Sequence, residues 1–181
     1  MLLRSALPED APAIAEVHVS SWRTTYRGLL PDSVLAALSV EQREPMWRQV
    51  TTEMLTGESR SCVFVAEDPV MGVVGFANAG PEREEGADVD GELYAIYLLE
   101  QHQRAGLGRE LVMRAVDFLV EQGHRSMRVW VLEGNPAQGF YERLGGQRSG
   151  KQTITVAEAS FDEIAYVWPD VTEFKRNDSD C

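Results

Sequence analysis

Hydrophobic positions along the 181-residue chain change period several times, and each change marks a structural element. Leu2 to Ala6 reads as a first strand. From Pro8 to Tyr26, Ile14, Val17 and the Ser21-Trp22 pair recur near helical spacing behind acidic first-turn residues, which predicts a helix. A second helical region covers Asp32 to Leu55 in two pieces. Ser39 is placed to cap the second piece, and Pro45 inside it predicts a break or kink, because proline lacks the backbone donor and crowds the preceding turn. Ser61 to Glu67 and Val70 to Ala79 flank Asp68-Pro69 and predict a hairpin. Leu93 to Leu99 has almost no polar alternation, so both its faces are expected to be covered, as in a central strand. Leu107, Leu111, Ala115, Phe118 and Gln122 return to helical spacing, with Gly123 as the stop. Ser126 to Leu132 is another buried strand. Asn135 stands as an N-cap with Pro136 at the first helical position, opening a short helix that ends at Gly145-Gly146. Gln147 to Val156 and Phe161 to Trp168 close a last hairpin. Strands mixed with helices predict an α/β (α+β) architecture, a single domain over residues 1–170 with a polar C-terminal tail at 171–181.

Between the central strand and the long helix lies Gln103-Arg104-Ala105-Gly106-Leu107-Gly108-Arg109. A glycine-rich turn there presents several backbone N–H groups in one direction, and the helix dipole adds partial positive charge at the same place. That is a phosphate site, or else a tight helix entry that binds nothing. The mid-chain position and the G-x-G spacing do not fit a dinucleotide-binding G-x-G-x-x-G, and a G-x-x-x-x-G-K-S/T loop is absent.

Charge and composition narrow the choice of ligand. Lys and Arg total 17 against 29 Asp and Glu, a formal net charge of −12, which disfavours nucleic acid and either draws cationic small molecules or supports solubility. No apolar stretch is long enough to cross a bilayer, and Pro8, Glu9 and Asp10 interrupt any signal-peptide core, so no membrane partner is expected. Cys62 and Cys181 form no disulfide framework, consistent with a reduced cytoplasmic setting. His18, His102 and His124 lack partners at metal-ligand spacing, so no metal is expected.

Gln103-x-x-Gly106-x-Gly108 between strand and helix resembles the acetyl-CoA signature of the GCN5-related N-acetyltransferase (GNAT) family. The segment from Asn135 to Gly146, NPAQGFYERLGG, resembles that family's second conserved block. Ser21 to Asp32 resembles the first helices of many bacterial members, and Glu163 to Asp170 their last strand. Departures are Glu100 where members often carry proline, Arg104-Ala105 in place of a small-then-basic pair, and Gly145-Gly146 in place of Gly-Phe. None removes a backbone N–H from the loop. The resemblance implies the GNAT fold: a mixed, mostly antiparallel central sheet flanked by helices, whose splayed central strands hold acetyl-CoA. It also implies N-acetyl transfer to a primary amine of a small molecule or peptide; dimers are common among members.

Carried onto this chain, the resemblance puts the cofactor's pyrophosphate on the amides of Arg104, Ala105, Gly106, Leu107, Gly108 and Arg109, and its pantetheine arm along Ile96, Tyr97 and Leu98. Gln103 belongs to the same signature, and Asn135 contacts the cofactor in relatives. Tyr141 matches the family's general acid: a neutral tyrosine of pKa about 10 is a competent donor to a leaving thiolate whose conjugate thiol has pKa about 8.5. The alternative for Tyr141 is packing beside Phe140 and Leu144. Glu92 matches a position some members use as general base; otherwise it is a glutamate ending the acidic loop of Pro81 to Gly91. Tyr94, Tyr26 and His18 are weaker bases. Trp22, Tyr26 and Trp47 fall on the acceptor side and either line an aromatic pocket for a cationic amine or join the core, with Trp22 and Tyr26 the substrate-binding candidates. A catalytically idle acyl-CoA-binding sensor is the competing function; it would keep the loop without a working acid and base.

Overall fold

In the computed structural model, which describes residues 1–174, the apolar runs become seven strands. These are β1 (Leu2–Ser5), β2 (Cys62–Asp68), β3 (Gly72–Pro81), β4 (Gly91–Leu98), β5 (Met127–Leu132), β6 (Gln147–Val156) and β7 (Ala159–Trp168). They form one sheet in the order β1-β2-β3-β4-β5-β7-β6. Every neighbouring pair is antiparallel except β4–β5. That parallel pair is connected through a helix, α4 (Leu107–Glu121), which supplies the crossover that parallel neighbours require. The expected mixed, mostly antiparallel sheet is therefore present.

Alternation along β2 explains how the sheet is covered. Val63 and Val65 face Ile14 and Val17 of α1 (Ala11–Thr25) and Trp47 of α3 (Val40–Thr56), between which in sequence lies the short α2 (Asp32–Ala37). Cys62 and Ala66 face the opposite layer, where α4 buries Leu111, Val112, Ala115 and Leu119. Burial pushes the Cys62 thiol up to about 12, so this cysteine is an inert packing group. The two cores share the sheet as their middle layer.

Three local expectations shift. Pro45 does not break its helix: α3 runs through it from Val40 to Thr56, with the Ser39 hydroxyl accepting from the Gln42 N–H at 3.2 Å. Pro45 lies in the second turn, where its missing N–H costs the single bond to the Glu41 carbonyl. The short helix α5 spans Gln138–Arg143 and so begins two residues past Pro136, although Asn135 Oδ1 accepts from the Ala137 N–H at 2.9 Å as a capping side chain would. Val171 and Phe174, assigned above to a polar tail, are buried against the core, Phe174 with its ring centroid 6.1 Å from that of Trp168. The rest of that tail, including Cys181, lies outside the described residues.

Strands β4 and β5 pair through only two positions, Gly91 with Met127 and Glu92 with Arg128. Just beyond, Leu93 pairs with Ala79 and Ala95 with Asn78, which leaves Tyr94 as a bulge in β4. A bulge bends its strand and adds twist. From there β4 and β5 diverge, and a gap opens between them.

Candidate active site

A cavity of about 860 Å³ fills the gap, walled by Ile96 and Leu98 of β4, Val129 and Val131 of β5, and Phe140 and Tyr141 of α5. The register sets what β4 offers to it. The Leu99 N–H donates to the Val74 carbonyl at 2.9 Å, so alternate peptide groups, Tyr97 among them, turn toward β3. Those of Ile96 and Leu98 turn toward the gap. Consistent with this, the Leu98 carbonyl accepts from Ser21 Oγ at 3.2 Å and from Gln103 Nε2 at 3.1 Å. Gln103 thus ties the glycine loop to the end of the strand.

The loop itself alternates backbone hands. Arg104 at φ 62° and Gly106 at φ 84° are both left-handed, and Gly106 is the N-cap residue of α4. Among the described residues no side chain caps this helix start, so its first-turn amides point out unsatisfied beside the cavity. A Cβ on Gly108 would lie 3.4 Å from Leu98 Cδ1 and from Phe140 Cζ, closing the space between those walls. These features fit a diphosphate: open amides, a helix N-terminus of fifteen residues, and bare backbone where the chain must approach closely. Gln103, Arg104, Gly106, Gly108 and Arg109 line the cavity, whereas Leu107 turns its side chain into the core and Ala105 is exposed to solvent.

Across the gap, Tyr141 is buried at 6% exposure, its ring 5.3 Å from Phe140, 5.9 Å from Tyr166 and 6.3 Å from Trp168 by centroids. Burial drives its hydroxyl pKa well up, so it keeps its proton. Gly146 makes this packing possible: a Cβ there would stand 2.8 Å from the Trp168 ring and 2.9 Å from the Tyr141 carbonyl oxygen.

A second cavity of about 230 Å³ adjoins the first and shares Tyr26, Tyr94, Tyr97 and Trp130 with it. Trp22, Glu92 and Glu163 complete its character. Tyr26 and Tyr97 hydroxyls meet at 3.5 Å, and burial raises the pKa of both. Glu92 is 2% exposed, and Arg83 holds both its oxygens, Nε on Oε2 at 2.9 Å and Nη2 on Oε1 at 2.5 Å. The Tyr94 hydroxyl donates to the Pro81 carbonyl at 2.5 Å, and its ring carries the Arg83 guanidinium at 4.5 Å. His18 lines neither cavity. Its Nδ1 accepts from Trp47 Nε1 at 3.1 Å and its ring stacks on Tyr97 at 5.3 Å, so His18 and Trp47 buttress the wall from behind.

The sequence profile of the Acetyltransferase (GNAT) family matches residues 18–146, a span that includes the loop, both cavities' central strands and Tyr141. The chain belongs to the GNAT family. An uncharacterized N-acetyltransferase of Bacillus subtilis, YuaI, is 41% identical over 173 residues, covering 96% of this chain and 95% of that protein. The crystal structure of the PaiA N-acetyltransferase of Thermoplasma acidophilum in complex with coenzyme A matches with a TM-score of 0.69 at 19% identity, covering 90% of this chain and 96% of that one. YncA of Salmonella typhimurium with its cofactor acetyl-CoA matches at 0.67 and 21% identity, covering 93% and 92%. This GNAT protein is accordingly an acetyl-CoA-dependent N-acetyltransferase.

Three residues of this GNAT site escape sequence reasoning. Arg83 is the one basic residue in an acidic loop, a signal that it serves as counter-ion to a neighbour. Arg128 ties the same loop down through Glu82 at 2.6 Å and Glu84 at 2.7 Å, so the loop is stapled to β5 rather than freely solvated. Glu163 opens the segment that resembles the family's last strand, but nothing local marks it as a site residue. Among the described residues no group of three or more His, Cys, Asp or Glu is arranged to hold a metal ion, and no helix is long and apolar enough to cross a membrane.

Proposed function

We propose that the enzyme acetylates a primary amine of a small molecule or peptide by direct attack, with the donor in the larger cavity and the acceptor in the smaller. The observation that carries this reading is the junction of the two cavities at Tyr26, Tyr94, Tyr97 and Trp130, next to the β4 edge. When bound, acetyl-CoA supplies the thioester that an amine cleaves. The amides of residues 104–109 and the Arg109 side chain hold its pyrophosphate. The outward peptide group of Ile96 and the Leu98 N–H pair with its pantetheine arm, with Tyr97 and Asn135 beside them; the Leu98 carbonyl is already taken by Ser21 and Gln103.

Glu92 takes the ammonium proton of the acceptor, directly or through water; Arg83 occupies one lone pair on each oxygen and leaves a second on each. The freed nitrogen bonds to the acetyl carbon, and the C–S bond breaks as Tyr141 delivers its proton to the departing sulfur; the proton that nitrogen sheds on becoming an amide returns through water to the Tyr141 oxygen. Trp22 and Tyr26 present aromatic faces to the cation. No covalent enzyme intermediate is needed, in keeping with the lack of a nucleophile–base pair at the junction among the described residues.

Two measurements test this. Acetyl-CoA is expected to raise the melting temperature where NAD and ATP do not. Free-thiol release across a panel of amines then identifies turnover. Stabilisation by acetyl-CoA with no amine accepted would leave only a sensor.

A further inference from the structure

The acceptor cavity holds two carboxylates at its two ends, and only one of them has a cation. Along β5, Glu92 pairs opposite Arg128 and Glu163 opposite Leu132. Four residue steps separate these positions, roughly 13 Å along the strand. Trp130, midway between them and on the same face, is one of the rings shared by both cavities. Glu92 is neutralised by Arg83. Glu163 receives only a neutral donor, Gln152 Nε2 at 2.9 Å, and among the described residues no Lys, Arg or His forms an ion pair with it.

Among the described residues, the carboxylate of this cavity without a cation therefore lies about 7 Å along β5 from the junction where acetyl transfer would take place. A substrate with a single amine puts its cation in the wrong place: at Glu163 the nitrogen is away from the donor, and at the junction Glu163 stays unpaired. We propose that the acceptor is a short aliphatic diamine, reacting through one nitrogen at the junction and anchored by its second, protonated nitrogen on Glu163. Trp22, Tyr26 and Trp130 cover the methylene chain between them. The cavity, about 230 Å³, has room for such a chain. This proposal rests on the acetyl-transfer reading above and adds a specificity residue to it.

The test compares diaminobutane with butylamine, which differ only in the second nitrogen, by thiol release with the wild-type enzyme and with Glu163→Gln and Glu163→Asp. Wild type is expected to prefer the diamine by about tenfold or more in kcat/KM, the worth of one charge-assisted hydrogen bond. Glu163→Gln should collapse that ratio toward unity, mainly through the KM of the diamine, while its calorimetric affinity for acetyl-CoA stays at the wild-type value. Glu163→Asp should restore part of the preference. A wild-type ratio near unity, or a preference that survives in Glu163→Gln, overturns the proposal. So does acetylation of other amines with diamines refused, which leaves acetyl transfer standing. Failure to bind acetyl-CoA at all would instead remove the reading beneath it.

Discussion

Mild acidification should destabilise this protein chiefly through His18. The imidazole is 7% exposed, its Nδ1 already accepts the Trp47 indole N–H, and Tyr97 lies flat against it. Burial, aided by the nearby Arg43 charge, lowers its pKa from 6.5 to about 4. A depressed pKa means that the folded state prefers the neutral ring. The stability this confers is complete above pH about 6.5 and is lost as pH falls toward 4, because the unfolded chain takes up the proton first. At about 1.4 kcal/mol per pH unit, moving from pH ~7.5 to pH ~5 removes about 2 kcal/mol. Urea unfolding followed by tryptophan fluorescence at those two pH values measures it. The control is His18→Gln, whose amide can still accept from Trp47 but does not titrate. Its loss of packing is the same at both pH values, and carboxylates held low by partners, such as Asp10 and Asp90, titrate alike in both proteins. The expected result is that wild type loses about 2 kcal/mol more than the variant over this interval. Equal losses in the two proteins would refute the reasoning. Because His18 backs Tyr97, acid should also loosen the junction between the cavities before global unfolding.

Other expectations concern the reaction itself. Tyr141→Phe should lower kcat by about a hundredfold or more, the usual contribution of a placed general acid, with acetyl-CoA affinity kept; an unchanged kcat in steady-state thiol release would show that the ring only packs. Glu92→Gln should lower kcat at neutral pH and recover part of it as pH rises and the amine loses its proton unaided, a trend that a pH–rate profile would reveal. Gly106→Ala places a Cβ on a residue at φ 84°, so it should cost about 1 kcal/mol in chemical unfolding and raise the calorimetric Kd for acetyl-CoA.

What the sequence discloses here divides along the two cavities, for a physical reason. The donor side is built from local features: a strand end, two glycines in left-handed or crowded positions, a helix start, and an Asn-Pro turn leading into the short helix that bears Tyr141. Each has a signature within a few residues, so the phosphate loop and the candidate acid are readable before any fold is known. Pro45 misleads because one lost hydrogen bond near a helix start is outweighed by the rest of a seventeen-residue helix anchored by buried Trp47 and Thr51, a comparison that local rules do not make. The acceptor side is built from neighbours distant in sequence. Arg128 reaches Glu82 and Glu84 across more than forty residues, and Glu92 meets β5 only at the last paired position before the strands part. Glu163 depends on a further choice. The last hairpin, which the alternation predicts, joins the sheet through its second strand, so that β7 lies between β5 and β6. Had β6 taken the inner place, Glu163 would stand on the edge strand, one position farther from the junction, with its carboxylate away from Trp130. The local pattern of a hairpin is the same in either arrangement. Donor chemistry is thus encoded where the chain turns, while acceptor selectivity is encoded in the order of the strands.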